Sequence, residues 1–84
     1  MRVTYSRALN ALVFKHTKKV GANDSVRFEG TKSIWRYHST DIVTIDWSTR
    51  IVMYSNGGWH TQSTTERLNA ARKTLAYIRP KNEA

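Results

Sequence analysis

Two hydrophobic periods divide the chain. Counting about 100° per residue from Ser6, Leu9, Leu12, Val13, His16 and Val20 fall in one sector, while Arg7, Lys15, Lys18 and Lys19 gather on the opposite side. The spacing predicts a basic amphipathic helix over roughly residues 5 to 20, stopped at Gly21 and followed by a polar loop, Ala22 to Ser25. From Val26 the period shortens to two. VRF, SIWRYH, DIVTID and RIVMY are short runs rich in β-branched and aromatic residues, separated by EGTK, ST and WST. An antiparallel meander of three to four strands is the economical topology. Alternation puts Trp35 and Tyr37 on one face and Ile34, Arg36 and His38 on the other, with Val43 and Ile45 opposite Ile42 and Thr44.

A second helical pattern closes the chain. Ser63 followed by Glu66 has the spacing of a capping box, which makes Ser63 the expected N-cap. Leu68, Ala71, Leu75 and Ile78 then recur at helical spacing as a core-facing stripe that packs the helix on the sheet, and Pro80 ends it. The expected fold class is α+β: an N-terminal amphipathic helix, the meander, and a C-terminal helix in one domain over residues 1–80, with residues 81–84 a polar tail. Between strands and helix, SNGG reads as a chain reversal, because Asn and Gly tolerate positive φ; Trp59 is expected to fill the gap between sheet and helix.

Composition narrows the partners. Eighty-four residues support one thin core and no deep enclosed pocket. A formal net charge of +8 favours polyanions, nucleic acid first and an acidic protein second. Cysteine is absent, which removes disulfides and thiolate metal sites and fits a reducing cytoplasm. The apolar runs are too short to span a bilayer, and Asn10 and Lys15 interrupt any signal-like segment, so no membrane partner is expected.

Reaction chemistry finds little support. His16, His38 and His60 are scattered without metal-ligand spacing, so neither metal nor cofactor is expected. His38 with Asp41 reads as a local pair at a hairpin. His60 with Asn69 has only a faint likeness to a ββα-metal nuclease, since the helix that would carry the second His has none. There is no Gly-x-Ser-x-Gly elbow and no GxxxxGK or GxGxxG loop. The glycine-flanked entry to the second helix, with Arg67 in its first turn, leaves room for a backbone contact to phosphate.

The strand followed by YSNGGWHTQSTTERLN resembles small bacteriophage proteins in which a GGW turn precedes a Thr-rich segment and an Arg-Leu/Met-Asn helix start. The resemblance covers roughly residues 37 to 70 and implies a phage origin, hence a bacterial host cytoplasm. The expected function is non-catalytic nucleic-acid binding. Arg7, Lys15, Lys18 and Lys19 would track phosphates, with Arg27, Lys32, Arg36 and Arg67 adding charge; Trp35 and Tyr37 either stack bases or belong to the core. The alternative is an inhibitor that docks on a host protein, such as a nucleic-acid enzyme or a defence effector. Self-association into a homo-oligomer is a further option, because a thin core gains from it.

Overall fold

The computed structural model describes residues 2–58 and 60–81. The packing role expected of Trp59, and the end of the tail, lie outside the described residues. Helix α1 (Val3–Val13) leads into β1 (Lys18–Lys19), β2 (Asp24–Glu29), β3 (Lys32–Tyr37), β4 (Thr40–Asp46) and β5 (Ile51–Tyr54), followed by α2 (Gln62–Thr74) and β6 (Arg79–Pro80). The strands form one six-stranded sheet in the order β1-β2-β3-β4-β5-β6, antiparallel except for the parallel β5–β6 pair. The α+β class stands, but the three- to four-stranded meander is corrected to six strands. The two added strands are two residues long and come from segments that read as helix. Strands so short carry no period of their own and exist only because a neighbour offers a ladder edge.

The first helix is also shorter than its apolar spacing suggested. It stops because His16 N–H bonds Ala11 O at 2.9 Å and Lys15 N–H bonds Leu12 O at 3.3 Å, with Lys15 at φ 61°. This is a Schellman closure built without glycine, and the left-handed lysine costs about 1–2 kcal/mol. Lys15, Lys18 and Lys19 therefore leave the helix, and the basic helical stripe does not form. Lys18 and Lys19 instead sit on an edge strand, where charge discourages pairing with another chain.

Both helices cover one face of the sheet. Cross-strand partners Val26, Trp35, Val43 and Tyr54 form a row on that face, with the Trp35 ring 6.2 Å from Tyr5 of α1 and Tyr54 beneath Arg72 of α2. Leu9 and Leu12 of α1 and Leu68 and Ala71 of α2 close over the row, joined by Leu75 and Ile78 just past the helix. Each fully buried large apolar side chain contributes about 1.5–3 kcal/mol. A bulge lets Ile42 enter this core beside Val43: the register slips between Trp35 and Arg36, so simple alternation fails there. The opposite face, carrying Arg27, Ile34, Thr44 and Met53 in one row, has no helix over it.

Helix α2 starts two residues earlier than the capping-box spacing implied. Thr61, not Ser63, is the N-cap: its hydroxyl accepts the Thr64 N–H at 3.3 Å. Among the described residues Glu66 caps no backbone amide; its carboxylate accepts from the Gln62 side chain and from the Tyr5 hydroxyl of α1. The reversal before it behaves as read, with Gly57 at φ 61° and Gly58 at φ 86°; a Cβ on Gly57 would lie 2.6 Å from Thr40 Cγ2. After α2 the chain folds back, and Pro80, which has no N–H to donate, takes an outer strand position.

Candidate nucleic-acid interface

Trp35 offers no face to a base. It is fully buried, and its indole N–H donates to Asp24 Oδ2 at 2.9 Å. Asp24, itself buried, also receives Arg67 through two bonds, Nε to Oδ2 at 2.8 Å and Nη2 to Oδ1 at 2.9 Å. Arg67 is thus an interior ion-pair partner and not a phosphate ligand. Its guanidinium lies 3.7 Å from the Tyr37 ring centroid and 4.9 Å from that of Tyr5, and Nη1 donates to Ser63 O and Tyr5 Oη. Burial alone would weaken its hold on the proton, but the bonds and charge of Asp24 reverse this and raise its pKa above the ordinary guanidinium value. Tyr37, half-buried with Arg67 on its ring, is likewise engaged from within. The stacking pair proposed from the alternation therefore belongs to the helix-covered side, because the alternation could say which residues share a face but not which face is covered.

The open face of the sheet neutralises its own charge. Arg27 clamps Asp41 with bonds of 3.2 and 3.1 Å and reaches Glu29 at 3.3 Å, while Arg36 lies 3.7 Å from the same Asp41. Asp41 consequently faces Arg27 and not His38, which turns the β3–β4 hairpin at φ 56°. Lys32 stands opposite Asp46, whose pKa is lowered first by the Ser48 hydroxyl, with smaller help from Lys32. Arg27, Lys32 and Arg36 are poor candidates for a phosphate surface.

Two groups of the remaining cations lie at the edges of the sheet. At the α1–β1 edge, Arg7 and Lys18 line a shallow groove of about 300 Å³ with Val3, Ser6 and Asn10. Lys19 is next on the strand, and Lys15 projects over Trp47 with Nζ 5.2 Å from the ring centroid. Of the four residues singled out on a helix, Arg7 and Lys18 share this groove, whereas Lys15 lies over Phe28 and Trp47 and Lys19, the neighbour of Lys18 on the strand, alternates to its other side. At the β5–β6 edge, Arg72 and Lys81 line a cleft of about 450 Å³ whose floor is Val52, Leu75 and Ile78. The Arg72 guanidinium is 5.0 Å from the Tyr54 ring, and burial raises the Tyr54 pKa above 10.0, partly offset by Arg72. This cleft was missed in the sequence, where Tyr54, Arg72 and Lys81 share no motif. A third hollow, about 370 Å³, joins His38, Thr40, Asn56, Thr61 and Thr64 at the glycine corner; its polar groups are mostly hydroxyls. Among the described residues, His, Asp and Glu nowhere gather as three potential metal ligands, and no helix is long and apolar enough to cross a membrane.

Fold and surface together define a small, basic, two-layer α+β protein. The sequence pattern of the Kyanoviridae Gp96 protein family matches residues 1–81, and the chain belongs to that family. It is a bacteriophage protein, the origin expected from the sequence; the match spans residues 1–81 and does not itself show the GGW-turn motif. No curated protein and no solved structure matches it.

Proposed function

We propose that this phage protein binds nucleic acid in the host cytoplasm through phosphate contacts, without catalysing a reaction. The observation that carries the reading is the sorting of charge. Among the described residues the salt bridges use Arg27, Arg36 and Arg67, which leaves Arg7 and Lys18 of the α1–β1 groove, and with them Lys15 and Lys19, without a carboxylate partner. A cation held in an internal pair has little left for an external anion, whereas a cluster without carboxylates concentrates positive potential and releases counterions when a phosphate backbone docks. Base stacking plays no part in this reading, since Trp35 lies inside.

Fluorescence anisotropy on duplex oligonucleotides from low to physiological salt tests it. Contacts from three or four of these residues give a slope of log K against log salt of about −3 to −4, and Lys18→Glu with Lys19→Glu flattens it by about 2. The weakening is uniform across sequences, because backbone contacts carry no base information. Absence of saturable binding at low salt, or binding untouched by the charge reversal, would overturn the reading and turn attention to an acidic host protein as the partner of this edge.

A further inference from the structure

We propose that the cleft between β5, β6 and the end of α2 is a nucleotide-binding subsite, separate from the α1–β1 edge; this rests on the nucleic-acid reading and assigns it a second, specific contact. The cleft combines features that phosphate tracking alone does not require. Its charged lining is Arg72 and Lys81, with no carboxylate among the described lining residues, so it suits an anion. Its floor is apolar: Val52 and Leu75 are fully buried and Ile78 nearly so. The half-buried Pro80 and the Tyr54 ring stand at its rim. A phosphate satisfies the two cations, and a planar base covers the apolar rim.

The backbone supplies a polar edge as well. Val52 O accepts the Lys81 N–H at 2.9 Å, so Val52 points its backbone groups away from β4, while Ser55 N–H donates toward β4, to Ile42 O at 2.9 Å. Alternation then directs the Tyr54 N–H and C=O outward like those of Val52. The ladder of β6 ends at Pro80, opposite Val52, and among the described residues nothing pairs with these Tyr54 groups. A donor and an acceptor on one residue, beside an aromatic ring and two cations, match a base edge that offers an acceptor next to a donor, as adenine and cytosine do. The ring itself is held by Arg72, whose guanidinium carbon stands 5.0 Å from its centroid and is thereby positioned for a phosphate oxygen or for stacking on a base.

The test is a titration of the intact protein with adenosine 5′-monophosphate followed by amide NMR, beside titrations with inorganic phosphate, adenosine, and single-stranded oligonucleotides with and without a 5′-phosphate. Saturable shifts at Met53, Tyr54, Ser55 and Lys81 with the monophosphate are expected. Arg72→Gln or Lys81→Gln should weaken them about ten- to a hundredfold, as for loss of one charge-assisted bond, while circular dichroism confirms that each variant is folded. The oligonucleotide arms separate the sources: a preference for the 5′-phosphorylated strand identifies a strand end, and equal or weaker binding of both strands identifies the free nucleotide. Inorganic phosphate producing the same shifts at the same concentration would overturn the assignment in favour of a plain anion site, and shifts confined to the α1–β1 edge would overturn it outright. Lys18→Glu with Lys19→Glu keeps the two readings apart. Duplex binding that fails in this variant while the nucleotide shifts persist supports both; duplex binding present in the parent with no shifts at the cleft removes the subsite and leaves the phosphate-tracking edge standing.

Discussion

Arg67 and Asp24 show how one pair of residues organises the interior of a small protein. Asp24 accepts from the Trp35 indole and twice from Arg67, and Arg67 lies between the rings of Tyr5 and Tyr37, so the pair links α1, the sheet and α2. A buried pair of this kind is a modest source of net stability, but breaking it strands a charge in the interior. Arg67→Met is therefore expected to cost about 3–5 kcal/mol in urea unfolding, and Arg67→Met combined with Asp24→Asn to cost clearly less than the two single changes added together. Additive losses would show that the two side chains act independently. Its place in the first turns of a helix after a glycine pair suggests an external role for Arg67; its true partner is 43 residues away.

Among the elements, α2 is the one whose beginning and packing can be told apart. Its stripe, Leu68, Ala71, Leu75 and Ile78, is buried throughout, even though the helix ends at Thr74 and Ile78 reaches the core from the following turn. Its N-cap moved by two residues. Thr61 accepts the Thr64 amide and its hydroxyl also bonds that of Thr64, whereas the exposed Ser63 has no capping role. Thr61→Ala should accordingly cost about 1 kcal/mol in thermal or chemical denaturation, and Ser63→Ala almost nothing. Equal losses would restore Ser63 as the cap. The ambiguity was inherent in the run HTQSTTE, where several hydroxyls precede the periodic stretch and only backbone conformation decides which of them is non-helical.

At the scale of the whole molecule the acid limb of stability follows from the carboxylates. Hydrogen bonds from Gln62 and then Tyr5 hold Glu66 below its ordinary 4.5, and Ser48 holds Asp46 below 3.8. Folded values below unfolded ones mean that the stabilisation is fully present above those ordinary pKa values and is lost as pH falls through the lower folded ones. The melting temperature should stay flat as pH falls from neutrality until it nears 4.5, and should decline below that point. Rising net positive charge in an already basic chain adds self-repulsion in the same range. Glu66→Gln and Asp46→Asn should each make the decline shallower, read by circular dichroism melts across the acid range. An unchanged acid limb in both variants would assign it to other carboxylates.

Local periodicity and covalent composition were enough to establish the α+β class, the apolar stripe of the second helix, the glycine reversal and the strong positive charge, because each is a property of neighbouring residues or of a simple count. The tertiary structure alone decided the rest. It ended α1 at Val13 through a left-handed lysine, made strands of Lys18–Lys19 and Arg79–Pro80 by pairing them with neighbours, and turned Trp35 toward the helices. It also separated cations held in ion pairs from those left at the edges. Ladder pairing, burial and charge pairing all depend on residues far apart in the chain, and a side chain's neighbours in space are not written in its neighbours in sequence.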